Sequence, residues 1–356
     1  MKGIILHGGH GTRLRPLTHT GPKQLLPIAN KPMSQYCVES LKDAGITDIA
    51  IIIGGIGSDK VREFYGNGEK LGVKFTYFQQ DHPKGISHAI NLCKEFVDNE
   101  KFVVFLGDNI IQKSIKQYVD KFSTSEVSAS VLLCEVPNPS SFGIAELYEE
   151  KIVKITEKPN KPKSNLAVTG IYFLTPLIFD IIKNLKPSWR NELEITDALQ
   201  LLLENEYKIS YDMITDYWKD TGTPEDIIHA NGVILEKMES YFHGIKENEF
   251  QSTGKVMIGK NTQIEKDVEI EGPVIIGDNC IIKSKSKIGP NISIGNNTKI
   301  SQVNIAKSII MSDCIIEGDL KIRNSIISNN SQITVTESNN KNEKLFLLGE
   351  GTKIIF

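Results

Sequence analysis

The sequence predicts two folds in one chain. A layered α/β domain spans residues 1–240; after a linker at 241–254 come a parallel β-helix at 255–330 and a tail with short strands at 331–356. Three observations carry this expectation. Apolar runs of strand length alternate with helical periodicity as far as Ser240, the runs after Val127 crowd together with few helices between them, and beyond Gly254 isoleucine recurs every six residues.

In chain order, Met1 to Leu6 reads as a strand that runs into His7-Gly8-Gly9-His10-Gly11-Thr12-Arg13-Leu14. Ile49 to Ile53 and Lys74 to Phe78 read as strands, Gly85 to Val97 as a helix, Phe102 to Leu106 as a buried strand and Ile115 to Phe122 as a helix. Parallel sheets of this kind bind ligands at the carboxyl ends of their strands. Val127 to Leu133, Phe142 to Tyr148, Lys151 to Thr156 and Leu166 to Leu174 are expected as antiparallel additions forming a second lobe. Pro224 opens a helix running towards Ser240, with proline at the first helical position.

Ile258, Ile264, Ile270, Ile276, Ile282, Ile288, Ile294 and Ile300 stand six apart, and Ile-Gly-x-Asn recurs at Ile258, Ile276 and Ile294. A hexapeptide period with a triple-length super-period describes a triangular parallel β-helix with each isoleucine inward. Asn261, Asn279 and Asn297 then fall at corners, where asparagine tolerates left-handed backbone. The step from Ile300 to Ile310 breaks the period; either Ile310, Ile316 and Ile322 or Ile309, Ile315 and Ile327 resume it. Ser338 to Asn342 reads as a polar loop.

Forty-one Lys and Arg against 44 Asp and Glu exclude a general binder of nucleic acid or anionic membrane and favour small-molecule partners. Five scattered cysteines with no C-x-x-C pair, no leader pattern and no apolar run of spanning length predict a cytoplasmic protein. Cys37 and Cys93 sit in apolar helical patterns and are expected in the core.

The glycine-rich stretch after the first strand, followed by Arg13 and Lys23, suits phosphate: backbone N–H groups line a concavity and the cations compensate charge. No Gly-Lys-Ser/Thr follows, and Leu14 stands where a dinucleotide fingerprint needs its third glycine. An ordinary turn with two surface cations is the alternative. Asp108 and Asp220 each lie where a strand gives way to a loop, a place from which carboxylates converge on a hard cation such as Mg²⁺; a helix cap and an Asx turn are the plain readings. Gln80 offers a donor and an acceptor side by side, matching the imide edge of uracil or thymine. Glu157-Lys158-Pro159 reads by itself as a solvated turn. His7, His10 and His19 fit no zinc spacing; His7 and His10 are expected to line the loop.

Taken together, Leu-x-Gly-Gly-x-Gly-Thr-Arg-Leu-x-Pro-Leu-Thr, Pro-Lys-Gln-Leu-Leu-Pro-Ile, Leu-Gly-Asp-Asn, Glu-Lys-Pro, Glu-Leu-Glu-Ile-Thr-Asp and Trp-x-Asp-Thr-Gly-Thr resemble the sugar nucleotidyltransferases. The closer resemblance is to the glucose-1-phosphate thymidylyltransferases of the longer form. Gln24 after Pro22-Lys23 favours that branch, since its guanylyl and many uridylyl relatives carry proline there. The resemblance implies a Rossmann-like domain with a mixed, mainly parallel sheet, then a left-handed β-helix. It implies dTTP, or UTP, and glucose 1-phosphate as partners, Mg²⁺ as cofactor, and a homo-oligomer assembled through the β-helix. On matching positions, Gly8, Gly11, Thr12, Arg13, Lys23 and Gln24 would hold the nucleotide, Gln80 and Gly85 would read the base, and Asp108 and Asp220 would bind the metal. Gly143, Glu157, Lys158, Val168, Arg190 and Trp218 would hold the sugar phosphate, with Arg13, Lys23 and Lys158 as catalytic cations. His7 stands where the family usually has alanine, and His10 where it has a small residue.

Two other functions were weighed. An acyltransferase β-helix generally relies on a histidine base, and all seven histidines lie at or before His243. A silent regulatory subunit would have lost Arg13, Lys23 or a metal-binding aspartate, and all are present.

Overall fold

A computed structural model describes residues 1–9, 11–245, 250–335 and 343–355. His10, part of the 241–254 span and the loop expected at Ser338 to Asn342 lie outside the described residues. Along the chain, β1 is Lys2–His7, β2 Pro27–Ile28, β3 Lys31–Pro32, α1 Met33–Asp43, β4 Asp48–Ile53, α2 Asp59–Tyr65 and β5 Lys74–Gln79. Next come α3 Ile86–Asn91, α4 Lys94–Val97, β6 Phe102–Leu106, β7 Asn109–Ile111, α5 Lys116–Thr124, β8 Ala129–Glu135 and β9 Gly143–Tyr148. The series continues with β10 Lys151–Glu157, β11 Leu166–Leu174, α6 Leu177–Ile182, α7 Ile195–Glu204, β12 Ile209–Met213, β13 Trp218–Asp220 and α8 Pro224–Leu235. These elements and the strands beyond form two compact units, Met1–His10 with Ser34–Asp220, and Gly11–Met33 with Thr221–Phe356.

In the first unit a nine-stranded sheet runs β10-β9-β11-β6-β1-β4-β5, with β8 beside β11 and β12 beside β8. β1 lies parallel to β4 and β6, and β4 to β5. Helices cover both faces of such strands, so their sequences are unbroken apolar runs: Ile4, Ile5 and Ile49 to Ile53 are all buried. The crowded strands after Val127 are antiparallel, as expected, but they make no separate lobe. One edge of β11 pairs with β8, and the other with β6 through Ile171–Leu174 and with β9 at Ala167, so a single long strand carries the same sheet onward. The helix expected over Gly85–Val97 is two short ones, because the chain leaves helical geometry at Cys93 (φ −92°, ψ 9°). Cys37 and Cys93 are core residues, fully buried.

In the second unit the C-terminal strands form three parallel ladders, consistent with a left-handed β-helix. The eight isoleucines of the six-residue series from Ile258 to Ile300 are buried, Ile264 being the most exposed of them at 4 %. Asn261, Asn279 and Asn297 turn its corners at φ 57°, 55° and 56°. Past Ile300 the coil tightens: sixteen residues separate Ile294 from its ladder partner Ile310, against eighteen between Ile276 and Ile294. Left-handed residues at Gln302 and Lys307 make the tighter corners, and Ile310, Ile316, Ile322 and Ile327 continue the interior. The ladders reach past both ends of the span read from sequence. Tyr241–Phe242 and Gln251–Thr253 pair with the first coil, and Leu347–Leu348 and Lys353–Ile355 with the last. Helix α8 starts as expected, with Pro224 at its first turn and the Thr223 hydroxyl accepting from the Asp226 N–H at 3.2 Å.

Candidate active site

A cleft in the first unit gathers eight of the residues picked out by sequence: Asp108, Gly143, Glu157, Lys158, Val168, Arg190, Trp218 and Asp220. Strand ends build it. Asp108 sits between β6 and β7, and β13 pairs antiparallel with β7 so that Asp220 lies opposite Asn109. This register brings two carboxylates from distant parts of the sequence to neighbouring positions. On β11, the alternate positions Val168, Gly170 and Tyr172 line the cleft, beside a shift in its register with β8.

Asn109 organises the carboxylate end. Its Oδ1 accepts from the Trp218 indole N–H at 2.8 Å and from the Gly170 N–H at 3.2 Å, while its Nδ2 donates to Asp108 Oδ1 at 3.0 Å. With its side chain fixed from two strands, Asn109 fixes Asp108. A Cβ on Gly170 would fall 2.7 Å from the Asn109 amide, so glycine is required there. Gly143 has a similar reason: its Cβ would meet Thr196 Cγ2 at 2.4 Å.

The cleft lining also holds a charge network. Arg190 Nη1 lies 3.3 Å from both Glu157 Oε1 and Glu194 Oε1, and its Nη2 lies 3.1 Å from Glu192 Oε1. The Thr196 hydroxyl donates to Glu157 Oε2 at 3.0 Å, and Lys158 Nζ stands 3.8 Å from Glu157 Oε1. Burial, reinforced by the nearby Glu194 charge, raises the Glu157 pKa above the ordinary carboxylate range, against the pull of Thr196, Lys158 and Arg190. Lys158 adopts left-handed backbone at φ 41° and its N–H bonds the Phe142 carbonyl at 3.0 Å, which pins the turn that carries the lysine. Glu157-Lys158 is therefore not a solvated turn: it forms part of the cleft wall.

A second cluster in the same unit joins Gly8, Gln80 and Gly85. Gln80 is buried; its Nε2 lies 2.9 Å from His88 Nδ1 and 3.5 Å from the Gly85 carbonyl, and a Cβ on Gly8 would touch its Oε1 at 3.1 Å. Burial, then the Lys84 charge, lowers the His88 pKa and keeps its ring able to accept from Gln80. Gly85 has φ 97°, and a Cβ there would strike the Leu193 carbonyl at 2.4 Å.

The remaining expected residues, Gly11, Thr12, Arg13, Lys23 and Gln24, belong to the second unit. Gly11 (φ 56°) opens a tight turn over Thr12–Leu14, and the Thr18 hydroxyl donates to its carbonyl at 2.8 Å. A Cβ on Gly11 would lie 3.4 Å from Lys23 Cβ, and one on Gly222 would lie 2.9 Å from Arg13 Nη2. Arg13 thus lies flat against Gly222, within the Asp-Thr-Gly-Thr segment. Gln24 is buried.

His7 does not line the cleft. It is buried at the end of β1, packs edge-on against Tyr65 with ring centroids 6.0 Å apart, and among the described residues neither ring nitrogen has a hydrogen-bond partner. Burial pulls its pKa down to about 3 despite the nearby Asp108 charge. Sequence reasoning passed over Asn109, Gly170, Glu194, Thr196 and His88. Asn109, Glu194 and Thr196 lie within the motifs quoted above; Gly170 was signalled only as a glycine inside a strand.

Residues 2–237 match the profile of the family described as Nucleotidyl transferase. The chain belongs to the nucleotidyl transferase family. Residues 270–354 match the GMPPB C-terminal domain. Among nucleotidyl transferase relatives, the glucose-1-phosphate thymidylyltransferase of Streptomyces antibioticus is 39% identical over 356 residues, 99% of each chain. The low-salt glycan biosynthesis nucleotidyltransferase Agl11 of Haloferax volcanii is 44% identical over 262 residues, 73% of each chain. A crystal structure assigned to a glucose-1-phosphate thymidylyltransferase from Bacillus anthracis, in complex with sucrose, superposes with a TM-score of 0.63 at 45% identity, covering 65% of this chain and 94% of that one. Among the described residues no helix is long and apolar enough to cross a membrane.

Proposed function

We propose that this nucleotidyltransferase moves a thymidylyl group from dTTP to glucose 1-phosphate, giving dTDP-glucose and pyrophosphate. The observation that carries the reading is the cleft itself, whose lining brings the carboxylates Asp108 and Asp220 together with the cations Lys158 and Arg190. Likeness along the whole chain to a thymidylyltransferase supports the same choice of substrates. An oxygen of the sugar phosphate attacks the α-phosphorus in line, the new P–O bond forms as the bond to the β-phosphate oxygen breaks, and pyrophosphate leaves. No protein nucleophile is needed; catalysis rests on alignment and charge neutralisation.

Asp108 and Asp220 offer only oxygen donors, as Mg²⁺ prefers when it shares one or two carboxylates with substrate phosphates. When bound there, the ion would neutralise charge on phosphate oxygens. Gly8, Gly11, Thr12, Arg13, Lys23 and Gln24 hold the triphosphate in this reading. Gly143, Glu157, Lys158, Val168, Arg190 and Trp218 hold the sugar phosphate. The carboxylates around Arg190 and Lys158 keep both cations extended until a phosphate competes for them, and Glu157 accepts from sugar hydroxyls. With its amide nitrogen engaged by His88, Gln80 has its oxygen left for the imide N–H that thymine and uracil share and cytosine lacks. The extra methyl of thymine is worth at most about 1–3 kcal/mol, so UTP is a slower substrate and CTP is rejected. We place the enzyme in the cytoplasm, where its five free cysteines stay reduced, and assign assembly to the β-helix.

The test is pyrophosphate release for every pairing of dTTP, UTP, CTP, ATP and GTP with glucose, galactose, mannose and N-acetylglucosamine 1-phosphates. The reading expects dTTP with glucose 1-phosphate to have the highest kcat/KM. A clear preference for another pair would replace these substrates.

A further inference from the structure

The second unit contains an arrangement that the proposed chemistry does not use. Asn231, in the middle of α8, is buried, and its Oδ1 accepts from two directions: from the Ala29 N–H at 2.8 Å and from the Ser293 hydroxyl at 2.6 Å. Ser293 belongs to the β-helix strand Ile292–Ile294. Ala29 and Asn30 form the tight turn between β2 and β3, both in left-handed backbone at φ 48° and 61°. Asparagine tolerates that conformation, whereas alanine costs about 1 kcal/mol or more, so this turn needs support from outside itself. It receives two bonds: the Ala29 N–H to Asn231, and Asn30 Nδ2 to the Ile294 carbonyl at 2.6 Å.

Packing follows the same route. Ala29, Leu235, Met257 and Ile275 form a buried apolar cluster linking turn, helix and β-helix. Gly232 lets α8 approach closely, since a Cβ there would meet Asn291 Oδ1 at 3.3 Å. At the far end of the β-helix, a Cβ on Gly349 would lie 3.2 Å from the Pro16 carbonyl. The segment Gly11–Met33 is therefore braced at both ends against the β-helix. Within it, the Leu26 N–H bonds the Lys23 carbonyl at 3.0 Å and the Met33 N–H bonds the Leu26 carbonyl at 3.1 Å, a short relay from the braced turn to Lys23.

We propose that Asn231, with Asn30 and Ser293, is a positioning group that fastens the triphosphate loop to the β-helix, so that the β-helix sets the affinity for nucleotide. The inference rests on the loop's role as triphosphate holder. It gives the β-helix, whose sequence has no histidine beyond His243 at its first coil, a part in the reaction without chemistry of its own.

The test uses the full-length enzyme and two variants. Asn30→Gly keeps the left-handed turn and removes the amide, and Ser293→Ala removes the hydroxyl. Amide hydrogen exchange over residues 11–33 should speed up in both. The KM for dTTP should rise about threefold to tenfold, the size of one lost hydrogen bond, while the KM for glucose 1-phosphate stays within about twofold. Unchanged exchange over 11–33 in both variants would overturn the proposal. So would faster exchange with an unmoved dTTP KM, or an equal rise in both KM values with a lower Tm, which marks a merely structural brace. If the wild-type enzyme turns over no triphosphate, the substrate reading fails by itself, and the exchange measurement still decides whether the brace exists.

Discussion

The sheet of the first unit and the β-helix of the second both bury strands, but they differ in what else they bury. In the β-helix each strand pairs with the strand one coil later, its core is mostly isoleucine and valine, and the polar groups it buries are small hydroxyls such as those of Thr262 and Thr298, which bond backbone carbonyls. In the sheet domain β1 pairs with strands from distant parts of the chain, and ionisable and amide groups go under: His7, Gln80 and Asn109 at strand ends, and Glu194, with Thr196, at the start of α7. Burying a polar group is costly unless it is paired. Where a fold buries ionisable and amide groups together, it reserves that place for a task; where it buries only small hydroxyls among isoleucines, it is building a support.

The largest effect that would sharpen this contrast comes from Asp108 and Asp220, the carboxylates proposed to hold Mg²⁺. Asp108→Asn and Asp220→Asn should each lower kcat/KM by about 10³-fold, several kcal/mol of charge stabilisation, with Tm within about 2 °C of wild type. Steady-state kinetics and calorimetry check it, and near-normal turnover in either variant removes that residue from the metal site. The support should behave in the opposite way. Ile282→Ala, in the fully buried interior of the β-helix, should cost about 2–5 kcal/mol of stability while kcat per folded molecule stays near wild type, measured by denaturant titration alongside turnover.

Glu157 tests whether the sheet gives up stability for function. Glu157→Gln should lower kcat/KM for glucose 1-phosphate by about 10–100-fold through the loss of charged hydrogen bonds. Its stability should move the other way. The folded-state pKa of Glu157 is raised, so its contribution is favourable at low pH, where it is protonated, and is lost as pH rises through the raised value. The Tm of the variant relative to wild type should therefore climb as pH increases, and a falling difference would contradict the burial cost.

The smallest effect belongs to His7. The folded chain keeps it neutral down to about pH 3, whereas an unfolded chain protonates it near 6.5, so its contribution is complete above 6.5 and is lost as pH falls from there towards 3. His7→Leu should flatten the Tm profile across that window, raise stability at neutral pH by about 1 kcal/mol because two unpartnered nitrogens leave the core, and change kcat/KM by less than about threefold. A large loss of activity would return His7 to the nucleotide site.

The same difference governs how much of the molecule its sequence discloses. The β-helix was readable because its period states which residue faces inward, as far as Ile300; tight corners at Gln302 and Lys307 then broke a pattern defined only by regular corners. In the sheet, apolar runs marked the strands but not their partners. Nothing local in Leu166–Leu174 says that it will hydrogen-bond to β6, β8 and β9 and so extend one sheet in place of forming a second lobe. Asp108 and Asp220 were visible as carboxylates in loops, but their proximity depends on the pairing of Asn109 with Asp220 across about a hundred residues. Glu194 and Thr196 stayed hidden for the same reason, since Thr196 holds Glu157 and Glu194 holds Arg190, and sequence shows such partners only through a fold.

Exchange of labelled pyrophosphate into dTTP, measured with and without glucose 1-phosphate, tests the central claim of direct transfer from dTTP to glucose 1-phosphate. Direct attack predicts exchange only when the sugar phosphate and Mg²⁺ are both present, since no nucleotidyl group is ever carried by the protein. Exchange in the absence of glucose 1-phosphate, or none in its presence, would contradict it.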